Sequence, residues 1–573
     1  MTIPGASISS SCPGGEPGYH RATMEPRHPD RFSFRRPGVR YTLLGLALLG
    51  LLFGGVQMRR FAWKETKHLR FQRDIVNGFY WGSQTIKEGQ KLSPDEPDSW
   101  RAFARGYLGL YERVRRDAYK GQYNLDYPPL RLLVMSIWAK EVRVKYPGAE
   151  DGTPDYVEPL LRVNMFCELL TAVGIFLLVR LAIRRAEGAT DSRLLHRLPV
   201  DERATLCGLF AAAAAWLEPS MILDAHAWPQ WDVWILPFYL FATLAGLTKR
   251  WFWCGCLLAL GGMLKGQLLF VAPFFIFWPL WQKRWARAVR VLAGFAATAA
   301  LIVSPWLLCD AWAWVAVAAI AGLAAFIFSR LGSRHTWAFT AGVAAIATFT
   351  VGALHGGSIS WLKVGFLYGS EHYPYLFISS CYNLPSLMAL LDWSLKTPFL
   401  TLHLGALHLA FTWQWTLRLL YLVALILCAR GAACHARNRD PRVLIAVATP
   451  WLVMFALLAQ MHERYLLWGA VLSAVALGVS LRLSLLHFVF SLMSAAMIIH
   501  VLLIDKKLAP TLHTIDVLYR IQPIASWIFL AGAAIYFREV LSARPPLFGP
   551  GREARPVVEE APLALAAAAA EEA

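Results

Sequence analysis

The chain has 573 residues, of which 57% are hydrophobic and only 16% charged, and its mean hydropathy is +0.43. A soluble protein of this length carries more charge, so the composition excludes an ordinary globular enzyme and points to repeated membrane spans. The net charge of +18 would raise nucleic acid as a partner in a soluble chain. Here the basic residues sit in short segments between apolar runs, where they act as topology signals, and nucleic acid is not an expected partner.

Residues 1–40 are rich in Pro, Gly, Ser and Arg without periodicity and are expected to form a disordered cytoplasmic N-terminus. The first apolar run, Tyr41–Met58, follows Arg35, Arg36 and Arg40 and has no small-residue cleavage site after it, so it is expected to be a retained helix. Further apolar runs fall near 159–179, 204–222, 231–247, 251–264, 268–281, 288–308, 311–328, 336–354, 415–429, 443–459, 465–481, 484–504 and 523–541. That makes fourteen candidate spans. With a cytoplasmic N-terminus, every second connection should be basic. Arg180, Arg184 and Arg185, then Lys249 and Arg250, Lys283 and Arg284, Arg330 and Arg334, Arg437 and Arg439, and Arg482 satisfy that rule.

The opposite, extracytoplasmic face then collects the segment 59–158, the turn near 223–230, Lys265, the segment 355–414, the turn 460–464 and the segment 505–522. The stretch 251–281 is expected as two short helices turning at Lys265-Gly266-Gln267. Within the first large loop, residues 74–89 and 130–142 have the apolar spacing of amphipathic helices lying at the interface, the second started by Pro128-Pro129. The fold predicted is an all-α polytopic membrane domain over 41–541, with about 14 transmembrane helices and a low-complexity cytoplasmic tail, 542–573. No internal repeat points to a transporter's paired halves.

The nine cysteines are an odd number, mostly inside apolar runs, and make no disulfide framework. No Cys or His spacing resembles a zinc site, and neither metal nor cofactor is expected.

Several polar groups converge on the outer face. Asp74 is ionised at neutral pH and can accept a proton from a hydroxyl, though a helix cap or surface charge beside Arg73 reads equally simply. Asp126-Tyr127-Pro128-Pro129 is a turn in which the following proline pushes Tyr127 extended. Asp224-Ala225-His226-Ala227-Trp228-Pro229-Gln230-Trp231-Asp232 places carboxylates, a histidine and an amide at a membrane boundary. Tryptophans alone would serve as anchors there, but Asp224 and His226 would not. Lys265 and Gln267 interrupt an apolar stretch, where an ionisable residue is a functional candidate and snorkelling is the alternative. His462-Glu463-Arg464 cannot all face lipid, and Arg464 suits a phosphate oxygen. Glu463 is a candidate partner for Arg464 or Lys265. In the segment 355–414, Glu371, His372, Tyr373, Tyr375, Tyr382, Asn383 and Trp393 suit a sugar or any wet interface.

Leu125-Asp126-Tyr127-Pro128-Pro129-Leu130 resembles a block in the first lumenal loop of the ALG-type glucosyltransferases, within the GT-C superfamily. Asp74 resembles that family's first-loop acidic residue, His226 through Gln230 its His-x-x-x-Gln stretch, Lys265 and Gln267 its Lys-Gln element, and His462-Glu463-Arg464 its His-Glu-Lys element. The sequence departs from the pattern at Gly266, at Trp228 and at Arg464, where lysine is usual. The Ala- and Arg-rich composition indicates a bacterial relative in the inner membrane. The resemblance implies a metal-independent, inverting transfer of a hexose from a polyprenyl-phosphate donor to a glycan or lipid-linked acceptor hydroxyl. In it Asp74 is the base, Lys265, His462 and Arg464 hold the donor phosphate, and Asp126, Tyr127, Asp224, His226, Gln230, Gln267 and Glu463 support sugar or acceptor. A flippase of a lipid-linked sugar and a membrane glycan ligase are the alternatives.

Overall fold

The computed structural model describes residues 37–67, 73–116, 125–147, 156–187, 198–332, 335–368, 380–405, 407–505 and 512–542. The chain divides into two units, Met1–Phe53 and Gly54–Ala573. In the first, the described part is the beginning of helix α1 (Pro37–Thr66). Residues 37–40, expected in the disordered terminus, are helical. The expectations for residues 1–36, for the tail from 543, and for Glu371, His372, Tyr373 and Tyr375 lie outside the described residues.

The second unit holds the bundle. Among the described residues eight helices are long and apolar enough to cross a membrane, or nine if Val200–Trp216 and Pro219–Ala227, bent by 41° at their break, form one span. The other apolar runs among the fourteen candidates fold as shorter helices, so helix length by itself supports eight or nine of the expected spans. Helix α8 (Ile235–Leu247) has 13 residues, about 20 Å at 1.5 Å per residue, against a hydrocarbon core of roughly 30 Å. Hydropathy could not separate these helices from spans because they are apolar on all sides. In Val443–Leu457, Leu444 through Ala448 are each 2% exposed or less. Helix α9 (Trp251–Leu264) ends at Lys265, whose extended backbone (φ −153°, ψ 118°) stops it. The chain then reverses. Trp278 of α11 (Phe274–Trp281) returns to Trp251, with ring centroids 5.6 Å apart.

Three amphipathic helices form a layer beside the bundle: α2 (Arg73–Leu92), α3 (Trp100–Arg116) and α4 (Pro129–Lys145). The first and third are the helices expected over 74–89 and 130–142. The second was not anticipated, because its five arginines disguise an apolar stripe of Phe103, Leu110, Tyr111 and Val114, all buried. Pro129 occupies the first turn of α4, where its missing N–H leaves no orphan donor. Tyr107 and Tyr111 of α3 brace that corner, their hydroxyls donating to the Pro129 and Tyr127 carbonyls at 2.7 and 2.5 Å.

Helices α2 and α3 meet backbone to backbone at glycines. A Cβ on Gly106 would land on the Thr85 carbonyl, and one on Gly89 on the Ala102 carbonyl. Gly106→Val is therefore expected to destabilise the layer by about 3 kcal/mol or more, the upper end for overpacking. The check is thermal unfolding in detergent, and an unchanged midpoint would refute this contact. Segment 355–414 adds one element that the all-α expectation lacked, an antiparallel hairpin of β1 (Pro398–Leu404) and β2 (Leu407–Thr412). Gly405, at φ +62°, makes its turn.

Candidate active site

The polar residues singled out in the sequence lie where helices stop. After α6 (Val200–Trp216) the chain runs through a short helix into a π turn, Leu223–Ala227, and then a 3₁₀ turn, Asp232–Trp234. Such irregular backbone is tolerated at membrane depth only when its polar groups find partners inside the protein. Asn164 of α5 (Glu158–Arg185) supplies them. Its amide nitrogen donates to the Ala225 and Gln230 carbonyls at 2.8 and 2.7 Å, and its oxygen accepts from the Trp234 indole at 2.7 Å.

Asp232 is the centre of the cluster. It is wholly buried. One oxygen pairs with the Lys265 ammonium, and the other lies 2.8 Å from Arg464 Nε. Arg464 comes from a 3₁₀ turn, Glu463–Tyr465, and its Nη2 reaches Asp74 Oδ2, also at 2.8 Å. One guanidinium thus bridges a buried carboxylate and a carboxylate at the surface of α2, since the Asp74 side chain is 41% exposed. Aromatic faces wall the cations. Lys265 stands 4.9 Å from the Tyr465 ring centre and 5.3 Å from that of Trp468, while Arg464 lies 5.1 Å from that of Trp228. Trp468 also donates its indole N–H to the Asp232 carbonyl at 2.8 Å.

Burial pushes the Asp74 carboxyl up, but Arg464, His462, Arg131 and Lys265 together outweigh it and hold the group below the ordinary carboxylate value. Burial and Arg464 push the His462 imidazole down, against the opposing pull of Glu463 and Asp74.

The remaining expected residues divide. Gln267 donates to the Tyr465 hydroxyl at 3.2 Å and so supports the lysine's aromatic wall. Tyr127 is buried, its hydroxyl 3.4 Å from the Asp74 carbonyl. Asp126 is exposed just before α4, within the electrostatic reach of Arg131 and Asp74. Asp224 and Gln230 are wholly buried, and none of their four side-chain polar atoms has a hydrogen-bond partner among the described residues. His226 belongs to a second cluster, its Nε2 2.9 Å from Glu168 Oε2. Arg59 completes that cluster, 2.6 Å from the same oxygen and stacked over Trp216. Glu463 pairs neither with Arg464 nor with Lys265. It accepts from the Ser380 hydroxyl and lies 3.8 Å from His462. Among the described residues no three His, Cys, Asp or Glu side chains form a group able to hold a metal ion.

Three contributors were not chosen from the sequence. Asp232 was within a recognised stretch, but only the fold shows that it, rather than Asp224, receives both cations. Glu168 is a carboxylate inside an apolar run, the signal for an intramembrane functional residue. Arg131, 4.0 Å from the Tyr127 ring centre and 4.3 Å from that of Trp231, looked like an ordinary charge on an amphipathic helix.

Fold and cluster together define an integral, multi-pass helical membrane protein whose helix breaks gather ionic side chains at one end of the bundle. The model of glycosyltransferase family 87 matches residues 125–319, about a third of the chain. The match supports a membrane glycosyltransferase. It covers the Asp126–Pro129 corner, the stretch 224–232 and Lys265-Gly266-Gln267, and leaves Asp74 and residues 462–464 outside. No curated protein matches the chain significantly.

Proposed function

We propose that the chain transfers a hexose from a polyprenyl-phosphate-linked donor to an acceptor hydroxyl, with inversion, at the extracytoplasmic face of a bacterial inner membrane. The observation that carries this reading is the chain of charges Asp74–Arg464–Asp232–Lys265, a potential proton acceptor fixed beside two cations. The acceptor oxygen attacks the anomeric carbon as Asp74 takes its proton. The bond from that carbon to the phosphate oxygen breaks, and the lipid phosphate leaves with the electron pair. The phosphate passes from singly to doubly charged, so cations at this point favour the transition state over the bound donor. Arg464 and Lys265 supply that charge, with His462 beside them. No protonating acid is needed for such a leaving group, in contrast to glycoside hydrolysis. Asp224 and Gln230, with unpartnered buried polar atoms, are placed to take sugar hydroxyls. Asp126, Tyr127, Gln267 and Glu463 hold the surrounding shell, and His226 orients the break from below through Glu168.

The test uses purified protein in nanodiscs with short-chain polyprenyl-phosphate-glucose and -mannose, a mixed acceptor extract, and arms with and without EDTA. Transfer from one of these donors that survives EDTA supports the reading. Movement of the intact lipid-linked sugar between leaflets without transfer favours the flippase, and transfer only from a lipid pyrophosphate favours the ligase.

A further inference from the structure

The other end of these helices carries a concave site. A cavity of about 560 Å³ opens between α5, α8 and the start of α9, with Leu181, Phe241, Leu244 and Leu257 on its walls and Arg180, Arg184 and Arg250 among its lining. Along α8 its lining runs from Phe241, about 10 Å beyond the Asp232 turn at 1.5 Å per residue, to Thr248, about 20 Å beyond it. Three features set it apart from a chance gap. The Arg180 Nε is buried yet has no hydrogen-bond partner among the described residues. Arg250 is exposed and has no ion-pair partner among them. Trp253 lines the cavity while 56% exposed, in contact with Trp337 at 6.0 Å between ring centres, as a tryptophan at headgroup depth would be. Only Arg184 is committed, to Asp201 at 2.7 Å, and both partners are more than half exposed.

Apolar walls with guanidinium groups among the lining fit a molecule with an acyl chain and an anionic phosphate. We infer that this groove binds an anionic phospholipid, its chains along Leu181, Phe241 and Leu244 and its phosphate on Arg180 and Arg250. A basic pocket between helices at the arginine-rich end of a bundle is the setting in which such headgroups are held. The inference rests on the helical membrane fold and not on the proposed sugar transfer.

Delipidated full-length protein in neutral detergent would be titrated with phosphatidylglycerol or phosphatidylcholine, and bound lipid counted by native mass spectrometry. Wild type should retain phosphatidylglycerol preferentially. Arg180→Gln and Arg250→Gln should each weaken that retention about five-fold, and the double variant roughly 25-fold, from about 1 kcal/mol for each arginine near an anionic headgroup. Leu244→Trp, which fills the groove but keeps every arginine, should also lower retention. Equal retention of both headgroups would overturn the inference. So would unchanged phosphatidylglycerol binding in the double variant and in Leu244→Trp, or displacement by inorganic phosphate as effective as by the lipid.

Discussion

Asp74→Asn is expected to lower sugar transfer by about 10²–10⁴-fold, the range for losing a positioned general base. The substitution keeps the side chain's size and one oxygen for Arg464, so the fold should survive. The side chain lies on an amphipathic helix beside the bundle, half-buried, and not inside the bundle. The pH dependence separates a base from a mere partner of Arg464. Because the Asp74 carboxyl is held below the ordinary carboxylate value, it is ionised throughout the neutral range. Activity should hold steady down to mildly acidic pH and fall only as pH drops through that depressed value. Arg464→Gln removes the largest of the groups pulling it down, so in that variant the acid limb of kcat/KM should move to higher pH. The sign is the same for stability, whose contribution from the pair is present above the unfolded carboxylate value and lost as pH falls through the folded one. Full transfer by Asp74→Asn, or an acid limb unmoved by Arg464→Gln, would remove Asp74 from the role of base.

Periodicity revealed most of the helices, because an apolar run of the right length has few other destinations. It does not discriminate where one physical cue has two causes. The runs 443–459 and 465–481 are as apolar as a lipid-facing span, yet they are short helices walled by protein. Helix α3 went unread for the opposite reason, since Arg101, Arg105 and Arg115 stand exposed beside a stripe that packs against α2 and α4. The hairpin at 398–412 needed long-range judgement too. Its alternation is short, and the residues around it mix aromatic, histidine and threonine side chains.

The polar site was legible as a set of breaks but not as a wiring diagram. Lys265, Gln267, Arg464 and the stretch 224–232 each interrupt an apolar run, and the fold draws them to one end of the bundle. Which carboxylate takes which cation depends on helix rotation, at about 100° per residue, and on turns only a few residues long. So Asp232 stands in ion-pair contact with Lys265 and Arg464, while Asp224, eight positions earlier in the sequence, makes neither contact. Likewise Glu463 turns to Ser380, although its neighbour Arg464 turns inward.

Asp232→Asn is expected to reduce transfer by about 10²–10³-fold, comparable to removing a preorganised charge-stabilising group, although Asp232 is not assigned contact with the sugar. Its carboxylate is buried between Lys265 and Arg464, and breaking one partner of such an arrangement strands the others at a cost of about 3–5 kcal/mol. Two cations left without their shared anion repel each other and lose their aim. Arg464→Lys should be nearly as damaging as Arg464→Ala, because a point ammonium cannot span Asp74 and Asp232 as the guanidinium does through Nη2 and Nε. The decisive comparison is the double variant. If Asp232 acts by positioning Arg464, the losses from Asp232→Asn and Arg464→Ala must be strongly non-additive, with coupling of about 1–3 kcal/mol. The effect should also fall mainly on kcat, since the phosphate's second charge exists only as the bond breaks. Additive losses confined to KM would instead place the pair in ground-state binding of the donor, leaving Lys265 alone to meet the developing charge.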